Sequence, residues 1–151
     1  MKRLLTLLEK ARHSSFSRSL LSFALARAIP FNAPHGFKIL EVYEDGIKIL
    51  LPYKRKNLNH LRGIHACALA TLSEFTAGIT LAKMSGTDAF RLIMKDLSMT
   101  YHYQAKEDVT AELHFPSNDF QRQVKTPLES QDAVFVEMIV EVYDIQKNHI
   151  S

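Results

Sequence analysis

The sequence predicts an α+β domain in which an antiparallel sheet wraps around one long buried helix. Residues 63–82 are almost all small or apolar and carry one formal charge, that of Glu74, which is typical of a buried helix. Asp45 and Gly46 stand between two runs of β-forming residues, which is a strong hairpin signal. After the helix, apolar and polar residues alternate as they do in half-buried strands. Strands that meander around a single helix give an α+β fold.

The first part of the chain predicts two helices followed by two strands. Residues 1–12 indicate a separate helical arm, and residues 14–28 indicate a helix that begins at serine and ends just before Pro30. The hairpin strands are expected at residues 37–43 and 47–52. A basic polar loop then leads from the hairpin into the central helix.

The rest of the chain predicts three more strands, after a turn at residues 85–88 that ends the helix. These strands are expected at residues 97–103, 109–115 and 133–145. The polar connection before the last strand is expected to contain a short helix that starts near Ser117 and stops at Pro127. Such a sheet covers only part of the central helix. The uncovered edge and apolar surface therefore predict a homodimer, and the sequence leaves open whether two dimers form a tetramer.

The chain of 151 residues is expected to form one domain, residues 1–151. Within it, residues 1–28 are the N-terminal helical segment and residues 37–145 are the core of sheet and helix. The single cysteine, Cys67, excludes an internal disulfide, which favours a reducing, cytoplasmic location. Cys67 itself is expected to be a small buried apolar residue.

Targeting and membrane signals are weak in this sequence. The basic, amphipathic start of the chain lacks the long apolar run of a secretory signal, although an organelle presequence stays open. Residues 63–82 are long enough to span a bilayer, but Glu74, His65 and several hydroxyl residues argue against a transmembrane segment.

Charge is distributed unevenly along the chain. Residues 1–65 contain 12 Lys and Arg and 4 Asp and Glu, a net charge of +8, whereas residues 66–151 contain 7 and 12, a net charge of −5. The basic half favours anionic ligands such as phosphates, a membrane surface or nucleic acid, or it is simply a solvated face. Because the strands carry no base-stacking motif, no nucleic-acid partner is predicted. No metal is predicted either, because the His and Cys spacing of a metal site is missing.

Four residues before and within the central helix resemble a known signature. Asn59, Gly63, His65 and, nine positions after the histidine, Glu74 follow the order of an Asn, a Gly-containing turn, His-Gly-Gly and an acidic residue. This is similar to the pattern of the hotdog-fold acyl-CoA thioesterases of the phenylacetate-degradation type. The resemblance covers residues 29–145. It implies a hotdog fold and an acyl-CoA substrate, with coenzyme A as part of the substrate and no separate cofactor.

The chain departs from that pattern at three points. Ala66 and Cys67 replace the two glycines after the histidine, the acid is Glu where Asp is commoner, and Met94 stands where some members carry a hydroxyl residue. These departures keep a second function open, a non-catalytic module that binds an acyl group or acyl-CoA. A basic peripheral module for nucleic acid or membrane ranks last.

Glu74 is the residue expected to carry the chemistry. A buried carboxylate has a raised pKa and suits a general base that activates water, or a nucleophile that attacks a thioester carbonyl. The alternative is a glutamate that faces solvent or pairs with a cation. The free amides at the helix start suit the carbonyl, and the resemblance places the amide near Ala66 there. Asn59 is a candidate to orient the water or the carbonyl, and His65 to shape the oxyanion end. Both residues also suit a structural role.

The spacing of these residues requires a second chain. Ala66 and Glu74 are eight residues apart, which is about 12 Å along a helix axis and too far for both to contact one carbonyl. Two antiparallel copies of the helix would bring Ala66 of one chain to Glu74 of the other. Asn59 and Ala66 are therefore expected from one subunit and Glu74 from its partner. The candidates for binding coenzyme A phosphates, or else a solvated basic loop, are Lys54, Arg55, Lys56 and Arg62.

Overall fold

The structure is a computed structural model, and it describes residues 2–86 and 91–151. The α-helices in this part of the chain are α1 (Lys2–His13), α2 (Ser15–Ala28), α3 (Ala66–Ser85), α4 (Ser117–Phe120) and α5 (Thr126–Leu128). The strands are β1 (Lys38–Val42), β2 (Gly46–Leu51), β3 (Val109–His114) and β4 (Glu141–Asp144). Short 3-10 helices occupy Ala33–His35 and Arg55–Asn57, and a π-helical segment, Gln121–Lys125, joins α4 to α5.

The strands form one antiparallel sheet in the order β1-β2-β3-β4. The predicted hairpin is confirmed, because β1 pairs with β2 across the Asp45-Gly46 turn. Every residue of β2 also faces a residue of β3, so these two strands form the centre of the sheet. Ile47, Ile49 and Leu51 of β2 are completely buried, and α3 packs against β2 and β3.

α3 is the central helix that the sequence predicts, three residues later than the predicted range 63–82. It ends at Gly86, whose φ of 68° lies in the left-handed region that glycine adopts without strain. Eight residues of α3 are buried, namely Ala68, Leu69, Leu72, Ser73, Phe75, Thr76, Ile79 and Thr80. Of the turn predicted at residues 85–88, positions 87 and 88 lie outside the described residues. No helix in the described ranges is both long enough and apolar enough to cross a membrane.

The hairpin turn is fixed to β3 and to the end of α3. His114 Nδ1 lies 2.8 Å from Asp45 Oδ1, and this hydrogen bond raises the pKa of His114 and lowers that of Asp45. The ammonium of Lys83, in the last turn of α3, donates to the carbonyls of Tyr43 and Glu44. The C-terminal end of α3 is therefore held against the hairpin.

The N-terminal helices belong to the same core as the sheet. The predicted helix at residues 14–28 is confirmed as α2, and the Ser14 side chain caps it by accepting a hydrogen bond from the amide of Ser17 (3.3 Å). The helix predicted at residues 1–12 is confirmed as α1, but it is not a separate arm. Instead, α1 packs on α2 and β1 and buries Leu8 and Ala11, because one side of this helix is apolar.

The strand predicted at residues 97–103 is wrong. These residues join no ladder, and most of their side chains are exposed, although Met99 packs against the core. Residues 133–145 form a strand only over Glu141–Asp144. A strand exists only where a neighbouring chain segment completes its hydrogen bonds, and the described chain offers no paired strand to residues 97–103 or 133–140.

The side chains of the last predicted strand nevertheless alternate between partly buried and exposed positions. Val134, Val136 and Met138 pack on a small apolar cluster around Phe120, whereas Phe135 and Ile139 are 76% and 77% exposed. The helix before this segment is longer than predicted and continues through Pro127. Pro127 lies at the start of α5, directly after the π-helical segment, where the hydrogen-bond pattern of the helix changes.

Candidate active site

The start of α3 presents one unpaired backbone amide. His65 is the N-cap, and its Nδ1 accepts a hydrogen bond from the amide of Cys67 (3.0 Å). The His65 carbonyl accepts from the amides of Ala68 (2.9 Å) and Leu69 (3.2 Å). In this first turn, the amide of Ala66 is the one without an acceptor among the described residues, and Ala66 is exposed. A free donor at the positive end of a helix suits the binding of a developing oxyanion.

His65 therefore acts as a helix cap. Because its Nδ1 accepts a hydrogen bond, the neutral ring carries its proton on Nε2. The ring is exposed, so Nε2–H remains available to a ligand. The prediction of a buried Cys67 is wrong, because this residue is exposed as well and the packed part of α3 begins only at Ala68.

Asn59 shapes the loop that leads into α3. Its side-chain Oδ1 accepts hydrogen bonds from the backbone amides of Leu61 (2.9 Å) and Gly63 (3.1 Å). The backbone amide of Asn59 donates to the Gly63 carbonyl (2.8 Å). Arg62 lies within this loop with a left-handed φ of 58°. The side-chain oxygen of Asn59 is thus engaged by the loop, and Nδ2 is the group it could offer to a substrate.

Two residues from the irregular segment before β3 also reach the start of α3. The hydroxyl of Tyr101 donates to the carbonyl of Ala66 (3.2 Å), and burial raises its pKa. Gln104 packs against Gly63 so closely that a Cβ there would come within 2.7 Å of Gln104 Cγ. The sequence indicates neither contact, because both join segments about forty residues apart in the chain.

Glu74 lies in the middle of α3, on the side that the sheet does not cover. It is partly buried and makes no hydrogen bond or ion pair with residues 2–86 or 91–151. This burial raises the pKa of its carboxyl group. Its Oε1 lies 3.8 Å from the position that a Cβ on Gly78 would occupy, so the glycine leaves room for the carboxylate.

A single chain does not bring the amide of Ala66 and Glu74 together. They lie on one straight helix, about 12 Å apart along its axis. The partly exposed side of α3 around Glu74 carries the small residues Ala70, Ala77 and Gly78. Small residues on a helix allow a second helix to approach closely.

The basic residues divide into a lysine cluster and two exposed arginines. The ammonium of Lys54 lies directly over Gly36, and its pKa is lowered by burial and by the charges of Lys56 and Lys38. Lys38 comes from β1 and was not among the predicted residues. Within the described ranges, none of these three lysines forms an ion pair with a carboxylate. Arg55 and Arg62 are exposed.

Asn57 connects the segments that surround the start of α3. It is 1% exposed, and its Nδ2 donates to the carbonyls of His35 (3.0 Å) and Pro52 (2.8 Å). Its Oδ1 lies 3.1 Å from His35 Nδ1, and its backbone carbonyl accepts from the amide of His65 (2.8 Å). The sequence does not single out this residue, because a buried asparagine carries no motif of its own.

A family model matches most of this chain. It describes a domain of unknown function, DUF4442, and covers residues 17–150. The chain belongs to the DUF4442 family. The matched range contains α3 and all the site residues described above. No curated protein matches the chain significantly.

Solved structures resemble this DUF4442 chain over most of its length. A Pseudomonas aeruginosa protein of unknown function, described as a probable thioesterase, is 21% identical with a TM-score of 0.73, over 94% of this chain and 87% of that chain. A Shewanella oneidensis protein related to the thioesterase superfamily is 15% identical with a TM-score of 0.58, over 88% of each chain. A mutant of a Staphylococcus aureus thioesterase is 17% identical with a TM-score of 0.54, over 80% of this chain and 90% of that chain.

These neighbours confirm the predicted fold. The chain has the hotdog fold, with its antiparallel sheet packed on the long helix α3. At such identities the likeness concerns the fold alone.

Proposed function

We propose that this protein is a thioesterase that hydrolyses an acyl-CoA or a related acyl-carrier thioester. The observation that carries the proposal is the pair of groups on α3. One is the partly buried carboxylate of Glu74 and the other is the amide of Ala66 at the positive end of the same helix, and neither has a partner among residues 2–86 and 91–151. Thioester hydrolysis needs a base or nucleophile and a donor for the oxyanion, and these two groups supply them.

The proposed reaction passes through one tetrahedral intermediate. Ionised Glu74 takes a proton from water while the water oxygen bonds to the thioester carbonyl carbon, and the carbonyl oxygen becomes an oxyanion that the amide of Ala66 stabilises. The carbon–sulfur bond then breaks, and the departing thiolate of coenzyme A takes the proton from Glu74. The products are a carboxylic acid and a free thiol, and Glu74 is again ionised.

This chemistry requires a homodimer. Two antiparallel copies of α3, in contact through the small residues around Glu74, would place Ala66 of one subunit beside Glu74 of the partner subunit. The irregular segments 91–104 and 131–140 support a partner, because both expose large apolar side chains and carry strand-like sequences without a neighbour. A second chain would provide that neighbour.

The dimeric site is tested by two variants that each lack one group. E74Q removes the carboxylate. A66P removes one N–H at the first helical position, where proline is tolerated, and the extended backbone of His65 (φ −69°, ψ 137°) is compatible with a following proline. Each homodimer is expected to lose about a hundredfold or more in activity against a panel of acyl-CoAs. Co-expression of the two chains restores one intact site in each mixed dimer, so about a quarter of wild-type activity is expected.

Two outcomes would contradict the proposal, one against the cross-subunit site and one against hydrolysis. If co-expression restores nothing while each variant alone has lost its activity, the cross-subunit site is refuted. If the wild type binds acyl-CoA tightly in calorimetry but hydrolyses no member of the panel, the protein is a non-catalytic acyl-CoA-binding module.

The lysine cluster is expected to bind the phosphates of coenzyme A. Burial and the nearby charges of Lys56 and Lys38 lower the pKa of Lys54, and none of the three lysines has a carboxylate partner in the described chain. Replacing Lys54 and Lys56 by glutamine is expected to raise KM for acyl-CoA about tenfold and to leave kcat unchanged, because phosphate contacts bind ground and transition states equally. KM is measured in parallel with an acyl-pantetheine, which has no phosphate.

The matched control is Lys106→Gln, which removes an exposed lysine outside the cluster. Its KM for acyl-CoA should equal that of the wild type. An equal rise in KM for acyl-CoA and for acyl-pantetheine in the double variant would show that the lysines do not recognise phosphate.

A further inference from the structure

The outer side of α2 exposes a row of large apolar residues. Phe16, Leu20 and Phe23 follow one another at helical spacing, and Phe16 and Phe23 are 77% and 69% exposed. Phe31, just after the helix, is 73% exposed. We call these four residues the α2 stripe. Single exposed apolar residues are common on protein surfaces, but three exposed phenylalanines along one helix and its following turn are unusual.

The α2 stripe is not needed by the fold. α2 already buries Leu21 and Leu25 on its opposite side, and the Ser22 hydroxyl accepts a hydrogen bond from the amide of Ile39 (2.8 Å) in β1. The exposed phenylalanines therefore make the protein less soluble without adding to its core. Such a surface is expected where it contacts something else.

The charges around the stripe identify the chemistry of its partner. Residues 1–36 contain six Lys and Arg and one acidic residue, Glu9. Two of these cations form ion pairs, Arg12 with Glu9 and Glu44, and Arg18 with Glu41. Arg27 lies on the exposed side of α2, at the end of the stripe, and Arg3 and Lys10 are exposed on the neighbouring helix α1. These three cations form no ion pair within the described residues. The partner is therefore apolar at its centre and negatively charged around it.

We propose that the α2 stripe binds the surface of a membrane that contains anionic lipids. Aromatic side chains flanked by cations insert at the boundary between acyl chains and headgroups, and each cation near an anionic surface adds to the attraction. A second copy of the chain fits this face less well, because α2 carries two arginines and no acidic residue that could pair with them across a symmetric contact. This inference does not depend on the proposed thioesterase activity.

The test measures co-sedimentation of the full chain with lipid vesicles. Vesicles of phosphatidylcholine mixed in equal parts with phosphatidylglycerol are expected to bind the protein, and vesicles of phosphatidylcholine alone to bind it weakly. The double variant F16S/F23S is expected to lose about tenfold or more in partitioning to the mixed vesicles, and R27Q about fivefold. Circular dichroism melting confirms that each variant is folded, since all three side chains are exposed.

The matched control is Ile145→Ser, which removes an apolar side chain that is equally exposed but lies after β4. It should bind the mixed vesicles as the wild type does. The proposal is overturned if the wild type binds neither vesicle, or if I145S and F16S/F23S lose the same amount. It is also overturned if F16S/F23S dissociates an oligomer in sedimentation while vesicle binding is unchanged, because the stripe would then contact a second copy.

Discussion

Replacing Glu74 by glutamine is expected to lower kcat for acyl-CoA hydrolysis by about a hundredfold to ten-thousandfold, the range over which a positioned general base contributes. Glutamine has nearly the shape of glutamate, and Gly78 leaves the same room for it. The substitution therefore removes the base and little else. KM should change little, because the carboxylate acts on water and not on the bound thioester. The measurement is steady-state hydrolysis of the best substrate in the acyl-CoA panel.

The pH dependence of kcat/KM in the wild type is a second test of Glu74. Burial raises the pKa of Glu74, and only the ionised form accepts a proton from water. The value of kcat/KM is therefore expected to rise with pH through this raised pKa, to a plateau on the alkaline side. The remaining activity of E74Q should lack that acidic limb, whereas E74D should retain it.

A stability measurement shows whether E74Q loses activity because the base is missing or because the protein is unfolded. Because the pKa of Glu74 is raised in the folded state, the unfolded chain loses this proton first as the pH rises, and the carboxylate lowers the stability of the folded protein at neutral pH. E74Q is thus expected to melt at the same temperature as the wild type or higher. The control Glu129→Gln, at an exposed carboxylate, should change neither activity nor melting. An E74Q protein with full activity would refute the proposed mechanism.

The central helix could be predicted because its signal is local. A long apolar stretch with a single acid is typical of a buried helix, and the structure places the ends of α3 within three residues of the prediction. The hairpin is predictable for a similar reason, since the Asp45-Gly46 turn and its flanking β-forming residues are adjacent in sequence. α2 likewise carries its own cap, Ser14.

The strands after the helix show where local pattern is insufficient. Alternation specifies which side chains face inward, and Val134 and Met138 do face inward as predicted. It does not specify a paired strand, and residues 97–103 and 133–140 join no ladder within the described chain, although the amide of His102 donates to the carbonyl of Ile150. A strand is a property of two segments, so its existence depends on contacts that a single segment does not encode.

The candidate site also combines residues that the local sequence predicts with residues that it does not. The resemblance to a known signature singled out Glu74, Asn59 and His65 as candidates, and these lie within sixteen residues of one another. It could not identify Lys38 or Tyr101, because the fold brings them to the site from distant positions. It also could not show that Asn59 and His65 hydrogen-bond to the loop and to the helix start. Those bonds depend on the backbone conformation of the folded chain.

Replacing Asn57 by alanine is expected to lower the free energy of unfolding by about 2–4 kcal/mol, the largest effect we expect from a polar residue of this protein. The substitution leaves the carbonyls of His35 and Pro52 without their buried donor and removes the acceptor opposite His35 Nδ1. Urea unfolding measures the change. The control Asn118→Ala, at an exposed asparagine, should alter stability by less than about 0.5 kcal/mol.

A double-mutant cycle separates two contributions to the free energy of unfolding, that of the Asn57 hydrogen bonds and that of the cavity left by N57A. The His35→Ala variant removes the ring that faces Asn57 but leaves the His35 and Pro52 carbonyls bonded. If the side chains interact as the structure shows, the effects of H35A and N57A fall short of additivity by about 1 kcal/mol. Additive effects would mean that N57A destabilises through lost packing and unpaired carbonyls alone. Because the Asn57 carbonyl also accepts from the His65 amide, any shift of this residue should displace the start of α3 and lower kcat in native buffer.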